Sequence, residues 1–233
     1  MARNETLATY VLIHGAGDVG WYWHLVDAEL RKRGHDVVVM DLPVEDDTAG
    51  LFTYAGVVID AVGDRENLVV VAQSFGGYVA PIVGDRVPAR LLVLVAAMVP
   101  APGESAEAMF ANTGYAPPER ADSSDLGVFY HDVDPALAAN ALAKGRRQSE
   151  TPGKEPWPLA AWPNVPTRYC CVATTASFPR SGSAASCEIA LASLPTRWIA
   201  VTPQRSATRA NWSRGLRPTG PTFGPLRSNE LAG

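Results

Sequence analysis

The sequence predicts an α/β fold in which a mostly parallel β-sheet carries helices on both faces. Nearly continuous apolar runs alternate with amphipathic segments of helical spacing. Strands that are apolar throughout are typical of parallel sheets that are buried on both faces. The chain has 233 residues, of which 47% are hydrophobic, so it can bury one sizeable core and a single domain is expected.

The predicted elements follow one another as strand and helix. Strands are expected at residues 9–14, 36–41, 68–72 and 90–97, and helices at residues 21–33, 51–62 and 75–83. After Pro100 the chain becomes polar and is interrupted by proline and glycine. We interpret residues 101–163 as a cap inserted into the fold, with one helix at residues 135–147. Residues 165–169 then begin a return to the sheet.

Charge and hydropathy exclude several function classes. The net charge is −4 and only 19% of the residues are charged, which argues against a nucleic-acid partner and against a basic membrane-binding face. No apolar run approaches the roughly 20 residues of a membrane span. Residues 1–9 are polar and lack the apolar core of a signal peptide, so we expect a cytoplasmic protein. The sequence does not indicate an oligomeric state.

The strongest chemical signal is the segment Ala72-Gln73-Ser74-Phe75-Gly76-Gly77. It follows a predicted strand and precedes a predicted helix, which is the context of a nucleophile elbow. There a tight turn exposes a serine hydroxyl, and small neighbours allow the turn to close. Ser74 is therefore the candidate catalytic residue. The structural alternative is a serine that caps the following helix.

A second signal, His14-Gly15-Ala16-Gly17, directly follows the first predicted strand. Glycines in such a loop allow backbone N–H groups to point at a reacting carbonyl. In folds with a nucleophile elbow, the oxyanion hole uses one N–H group of this loop and one of the residue after the nucleophile. We therefore predict that the backbones of Ala16 and Phe75 form it, and that His14 has a structural role.

The same loop supports a different interpretation. Residues 15–20 fit the G-x-G-x-x-G pattern of dinucleotide-binding folds, and Asp41 ends the next strand 21 residues after Gly20, where such folds place a ribose-binding acid. Against this, Trp21 follows the third glycine directly, although that glycine should allow close packing of helix on strand. This alternative also leaves the Ser74 segment unexplained.

Residues 10–100 resemble the α/β-hydrolase superfamily, and in particular the small methyl-esterase and hydroxynitrile-lyase group. The resemblance is carried by these residues: His14-Gly15-Ala16, Gly20-Trp21, Trp23, Gly34-His35-Asp36-Val37, Asp41-Leu42-Pro43, Ser74-Phe75-Gly76-Gly77 and Ala96-Ala97-Met98-Val99-Pro100. The lyases of the group typically carry threonine where this chain has Gly15, so the resemblance favours an esterase. It also implies a catalytic acid after a late strand and a catalytic histidine near the C-terminus.

The chain lacks a histidine at the place that this resemblance implies. Its four histidines are His14, His24, His35 and His131, and only His131 follows Ser74. The composition also changes, because residues 170–233 contain two acidic residues against seven arginines and no lysine, together with all three cysteines. The adjacent Cys170 and Cys171 do not form a metal-binding pattern. We divide the chain into a hydrolase core at 1–169 and an atypical tail at 170–233.

One hypothesis explains both observations: the reading frame changes after Tyr169 through the loss of one nucleotide. When the tail is re-read in the shifted frame, a threonine codon always yields a codon ending in AC, which encodes His, Asp, Asn or Tyr. Thr175 and Thr202 lie where the acid and the histidine are expected. The alternative is a genuine but divergent C-terminus. In either case we expect the C-terminal quarter to be irregular.

The sequence as a whole predicts a serine hydrolase that cleaves a small carboxylic ester through an acyl-enzyme on Ser74, impaired because the triad histidine and acid are missing. The resemblance implies that Phe129, Tyr130 and His131 in the cap shape an apolar substrate pocket. No metal or organic cofactor is expected. Two alternatives stay open, namely a non-catalytic binding protein of the same fold and a nicotinamide-dinucleotide-binding domain.

Overall fold

A computed structural model describes residues 7–113, 129–130 and 133–170. In this part of the chain, five parallel strands form one sheet in the order β2-β1-β3-β4-β5. The strands are β1 Thr9–Ile13, β2 Asp36–Val39, β3 Leu68–Gln73, β4 Ala89–Val95 and β5 Thr167–Cys170. The predicted parallel α/β sheet is thereby confirmed, and the return to the sheet near residue 165 becomes its fifth strand.

Helices connect the strands and cover the sheet. They are α1 His24–Lys32, α2 Leu51–Val62, α3 Gly76–Arg86, α4 Ala106–Thr113, α5 Pro135–Lys144 and the single turn α6 Thr151–Lys154. The segment Gly20–Trp23 is a short 3-10 helix, so the helix predicted at residues 21–33 is in fact two pieces. The helix predicted at 51–62 has the observed bounds.

Strand β3 lies in the middle of the sheet, and both of its faces are buried. Leu68, Val70 and Ala72 pack into the larger core cluster together with α2 and α3. Val69 and Val71 pack on the opposite face, against residues of α1 and the segment before it. Alternate residues of a strand point to opposite faces, which explains why β3 is apolar at every position from Leu68 to Ala72 rather than at every second one.

The cap is joined to the sheet and its helices by specific contacts. Its three described helices, α4, α5 and α6, correct the prediction of a single helix, because short helices with breaks on either side give little periodic signal. Glu155 accepts a hydrogen bond from the Leu51 N–H group at 2.6 Å and so caps α2. The buried Trp157 indole donates a hydrogen bond to the Tyr78 carbonyl at 3.2 Å.

The strand order reverses its direction between β1 and β3. From β1 the chain moves to one side to form β2, and it then returns to the other side to form β3, β4 and β5. In parallel α/β sheets, ligands bind beyond the carboxyl ends of the strands at this reversal point, because the connections diverge there and leave a crevice. The loop after β1 and the turn after β3, which contain the two sequence signals, meet at this point.

Several predictions of the sequence fall outside the described residues. They concern His131 and the tail, including Thr175 and Thr202. The division of the chain at residue 169 thus stays a prediction.

Among the residues that the structure describes, no helix has the length and apolar character needed to cross a membrane.

Two helical glycines give a test of the packing between α3 and the end of β4. A Cβ atom on Gly77 would collide with the Met98 carbonyl oxygen, whereas a Cβ atom on Gly56 in α2 would have nothing within 4 Å. We expect Gly77→Ala to lower the free energy of unfolding by about 1–3 kcal/mol through overpacking. Gly56→Ala should raise it by about 0.5–1 kcal/mol, because alanine favours helix. Urea unfolding of both variants checks this, and equal effects would contradict the described packing.

Candidate active site

Ser74 occupies a strained turn between β3 and α3. Its φ angle is 50°, in the left-handed region, which costs a non-glycine residue about 1–3 kcal/mol. The Ser74 carbonyl accepts hydrogen bonds from the Gly77 N–H at 3.1 Å and the Met98 N–H at 2.9 Å, and these contacts hold the turn. A strained serine between a strand and a helix has the backbone arrangement of a nucleophile elbow.

Glycines behind the turn bring it close to its neighbours. A Cβ atom on Gly76 would lie 3.0 Å from the His14 carbonyl oxygen and 3.1 Å from that of Ile13. Such distances are tighter than almost all real Cβ contacts, so a larger residue would push α3 away from the end of β1. Gly76 thus allows the start of α3, and with it Ser74, to lie directly beside the loop that follows β1.

His14 is part of the framework of that loop. Its imidazole is fully buried, with Nδ1 2.8 Å from the Gly15 carbonyl oxygen and Nε2 3.0 Å from the Leu42 nitrogen. The Leu42 N–H must donate to Nε2, so Nδ1 carries the proton and donates to Gly15. Burial lowers the pKa of His14, which keeps the ring neutral. Both nitrogens are thus engaged by the backbone.

The cap fixes the same loop from the other side. The Gly17 N–H donates to Gln148 Oε1 at 2.9 Å, and the Gly17 carbonyl accepts from the Arg146 N–H at 2.7 Å. Gln148 Nε2 in turn donates to the buried Tyr54 hydroxyl at 3.1 Å. Sequence reasoning missed Gln148, because nothing in the local pattern connects it with a loop 131 residues away.

Ala16 and Phe75 carry the two N–H groups predicted to bind the oxyanion. Ala16 is exposed, and Phe75 is buried at the start of α3. Neither N–H group donates a hydrogen bond to another residue in the described ranges, and the Ser74 hydroxyl also has no partner there. The described residues therefore leave these three polar groups unoccupied.

Asp18 is an acidic residue of this site that the sequence analysis did not single out. A Cβ atom on Gly15 would lie 3.1 Å from Ser74 Cβ and 3.3 Å from Asp18 Oδ2, and it would also contact Gln73 Oε1. The three side chains therefore border one point. Burial raises the pKa of Asp18 to about 6. A charged residue in a loop otherwise made of small residues was the signal that could have revealed it.

No histidine in the described part of the chain contacts Ser74. His24 Nδ1 lies 2.8 Å from the Trp21 carbonyl oxygen, and its ring stacks on the Trp21 indole. His35 accepts a hydrogen bond from the Ala8 N–H at the amino end of β2. This end of the sheet is opposite to the carboxyl end, where Ser74 lies. His14 is engaged as described above. In these residues the site therefore combines a serine and two N–H groups with the nearby Asp18 carboxylate, but it has no histidine hydrogen-bonded to the serine.

The remaining predicted residues are less closely connected with Ser74. Phe129 is 45% exposed and Tyr130 is partly buried, and their role in the substrate pocket stays a prediction. Asp41, the acid of the dinucleotide-binding alternative, accepts a hydrogen bond from the Gly20 N–H at 2.6 Å. Within the described ranges, no group of three or more His, Cys, Asp or Glu residues could hold a metal ion.

The hydrogen bond between Gln148 in the cap and the Gly17 N–H predicts how substitution of Gln148 changes stability. Gln148→Ala removes the acceptor of the Gly17 N–H and should lower the free energy of unfolding by about 1–2 kcal/mol. Exchange of the Gly17 amide hydrogen should become faster. Gln148→Glu keeps an acceptor oxygen and should leave this amide protected. Hydrogen exchange followed by NMR distinguishes the two variants, and equal exchange of Gly17 in both would show that the Gln148 contact is absent in solution.

The raised pKa of Asp18 predicts that Asp18→Asn increases the free energy of unfolding, by an amount that depends on pH. A folded-state pKa of about 6, above the unfolded value, means that stability falls as the pH rises from about 4 to about 6, and that the full penalty of ionised Asp18 is present above about 6. Asp18→Asn should therefore stabilise the protein at pH 8, by up to about 3 kcal/mol given about 1.4 kcal/mol per pKa unit. Below the unfolded pKa, near 3.9, the gain should disappear. Urea unfolding of both proteins at pH 8 and at about pH 3 checks this, and a pH-independent difference would show that Asp18 titrates normally.

Comparison with known proteins identifies the family. The sequence model of the alpha/beta hydrolase family matches residues 10–213. Methylesterase 9 of Arabidopsis thaliana is 32% identical over 96 residues, which are 37% of this chain and 38% of that protein. A carbendazim hydrolyzing esterase of Nocardioides sp. is 31% identical over 114 residues, or 44% of this chain and 47% of that protein. The matched region thus spans less than half of either relative.

A solved structure shows the same fold. An extracellular alpha/beta-hydrolase from a Paenibacillus species superposes with a TM-score of 0.57 over 70% of this chain and 76% of its own, at 22% sequence identity. The resemblance inferred from residues 10–100 is thereby confirmed, and the family match extends well beyond them. The chain belongs to the alpha/beta hydrolase family.

Proposed function

We propose that this protein is a serine hydrolase that cleaves small carboxylic esters through an acyl-enzyme on Ser74. The observation that carries the proposal is the left-handed turn at Ser74, placed where the strand order reverses. Strain of this kind persists only where the surrounding structure holds it, and it concentrates at functional sites. The esterase names of both sequence relatives support ester cleavage as the reaction class.

The chemistry follows from the groups around the turn. The Ser74 hydroxyl oxygen attacks the acyl carbon, a base takes its proton, and the carbonyl oxygen becomes an oxyanion. The free N–H groups of Ala16 and Phe75 hold this oxyanion. Collapse of the intermediate expels the alcohol, which takes up the proton, and leaves the acyl group on Ser74. Water then attacks the acyl group and releases the acid.

We further propose that the reaction is impaired in this chain. The base is the missing part, since no described histidine reaches Ser74. Removal of the triad histidine lowers kcat by on the order of a million-fold in serine hydrolases. The hypothesis of a changed reading frame places the acid and the base at Thr175 and Thr202. Phe129, Tyr130 and His131 are proposed to line the pocket for the ester.

Restoration of the reading frame tests both parts of the proposal. The gene is first resequenced across codons 160–205, and a second version is made with one nucleotide inserted before codon 170. We expect a fluorophosphonate probe to label the restored protein at Ser74 at least about 1,000-fold faster than the present chain, which lies within the loss of about a million-fold expected without the histidine. Mass spectrometry of tryptic peptides locates the label, and Ser74→Ala in the restored protein is the control.

The outcomes separate the two claims. A restored protein that folds and is not labelled at Ser74 contradicts the esterase proposal. Equal labelling of both versions contradicts the impaired triad, because the present tail would then already supply a base.

The absence of a histidine near Ser74 in the described ranges also favours a second candidate, a hydrolase-fold protein that binds its ligand without turnover. The two candidates make different predictions for the frame-restored protein. A binding protein would retain a small ester at the Ser74 site without product formation, even after the frame is restored. NMR titration together with chromatographic assay of the released alcohol distinguishes them.

A further inference from the structure

We propose that Asp18 and Gln73 form a polar subsite beside Ser74 that binds a hydrogen-bond donor of the substrate. The favoured substrates are esters with a hydroxyl or ammonium group on the carbon next to the ester carbonyl. The inference rests on the proposed function, because it takes Ser74 as the attacking residue. It adds a residue that determines specificity and a chemical class of substrate.

The subsite occupies space that Gly15 leaves free. A side chain at position 15 would point between Ser74 Cβ and Asp18 Oδ2, and it would collide with Gln73 Oε1. Because residue 15 is glycine, the polar ends of Asp18 and Gln73 can come up to the serine. The two side chains reach the same place from different elements, Asp18 from the loop after β1 and Gln73 from the last position of β3.

The acceptors in this subsite lack donors. Gln73 Oε1 is buried and has no hydrogen-bond partner within the described part of the chain. The Asp18 carboxylate also accepts no hydrogen bond there. Burial alone raises its pKa to about 6. Burial of an acceptor without a donor is unfavourable, and for a carboxylate it is more so. A ligand that brings an O–H or N–H group would remove this penalty.

The position of the subsite sets where the donor must be on the substrate. In a reactive complex the acyl carbon lies about 3–3.5 Å from the serine oxygen. Asp18 and Ser74 border one point at 3.3 and 3.1 Å, so a donor one or two bonds from the acyl carbon can reach the carboxylate. An anionic group at the same place would meet the Asp18 carboxylate and be rejected. The subsite therefore selects 2-hydroxy and 2-ammonio esters against 2-carboxylate esters.

Matched ligands test the subsite by binding, without the need for turnover. The ligands are methyl phenylacetate, methyl mandelate, methyl phenylglycinate and monomethyl phenylmalonate, which differ only in the group at the 2-position. Their Kd values for the full chain are measured by NMR titration at about pH 6.5, where Asp18, with a pKa of about 6, is mostly ionised and the α-amino ester is still mostly an ammonium ion. We expect the hydroxy ester to bind about 10-fold more tightly than phenylacetate, and the ammonium ester at least as tightly as the hydroxy ester, since hydrogen bonds to a carboxylate are strong. The malonate should bind most weakly.

Variants assign the preference to Asp18. Asp18→Ala should abolish the tighter binding of the hydroxy and ammonium esters relative to methyl phenylacetate. Asp18→Asn should weaken the binding of the ammonium ester most, because the charge is lost and the shape is kept. Asp60→Asn is the control, since it makes the same change on the exposed side of α2. A gain limited to the ammonium ester supports recognition by charge, and a gain of both donors supports recognition by hydrogen bonding.

Two results overturn the subsite. One is equal binding of all four esters, or no binding of any; the other is a donor preference that survives in Asp18→Ala. Failure of the proposed function is seen separately, in the labelling of Ser74 after frame restoration. A donor preference without labelling would leave the subsite standing and reject the serine mechanism.

Discussion

The close contact between the Ser74 turn and the backbone around it is the constraint on which the rest of the site depends. Gly76 and Gly77 bring the start of α3 against carbonyl groups at the end of β1 and after β4. The left-handed φ of Ser74 is held by hydrogen bonds that join the same elements. The buried sheet therefore stabilises the strain, and any substitution that widens these contacts moves the serine relative to the loop after β1.

The loop after β1 depends on contacts from two sides. His14 fastens its beginning to the backbone that follows β2, through Leu42. Gln148 and Arg146 in the cap hold Gly17 by hydrogen bonds to its N–H and carbonyl groups. Between these fixed points, Gly15 lies against Ser74. Electrostatic stabilisation of an oxyanion requires donors that are positioned before the reaction, and this loop is held in the required way.

Much of the core was predictable from the sequence, because its signals are local. Apolar runs such as that of β3 fix the buried strands, and the strand–Ser74–helix order predicts the turn. The contact of Gln148 with Gly17 was not predictable, since it joins residues far apart in the chain. The proximity of Asp18 and Gln73 likewise arises only when the loop after β1 meets the end of β3. The extra cap helices escaped notice because short segments carry little periodicity. The predicted roles of Phe129, Tyr130 and His131 depend on packing between distant parts of the chain, which a local pattern does not reveal.

The bond between Gln148 and Gly17 crosses the boundary between cap and sheet, and this has a consequence for access to the site. A cap that moves aside to admit a ligand must break the hydrogen bond between the Gly17 N–H and Gln148. This would loosen the loop that the proposed mechanism requires to be rigid. Under that mechanism, ligands small enough to reach Ser74 without movement of the cap would meet the ordered loop, so the cap contact would favour small ligands over bulky ones.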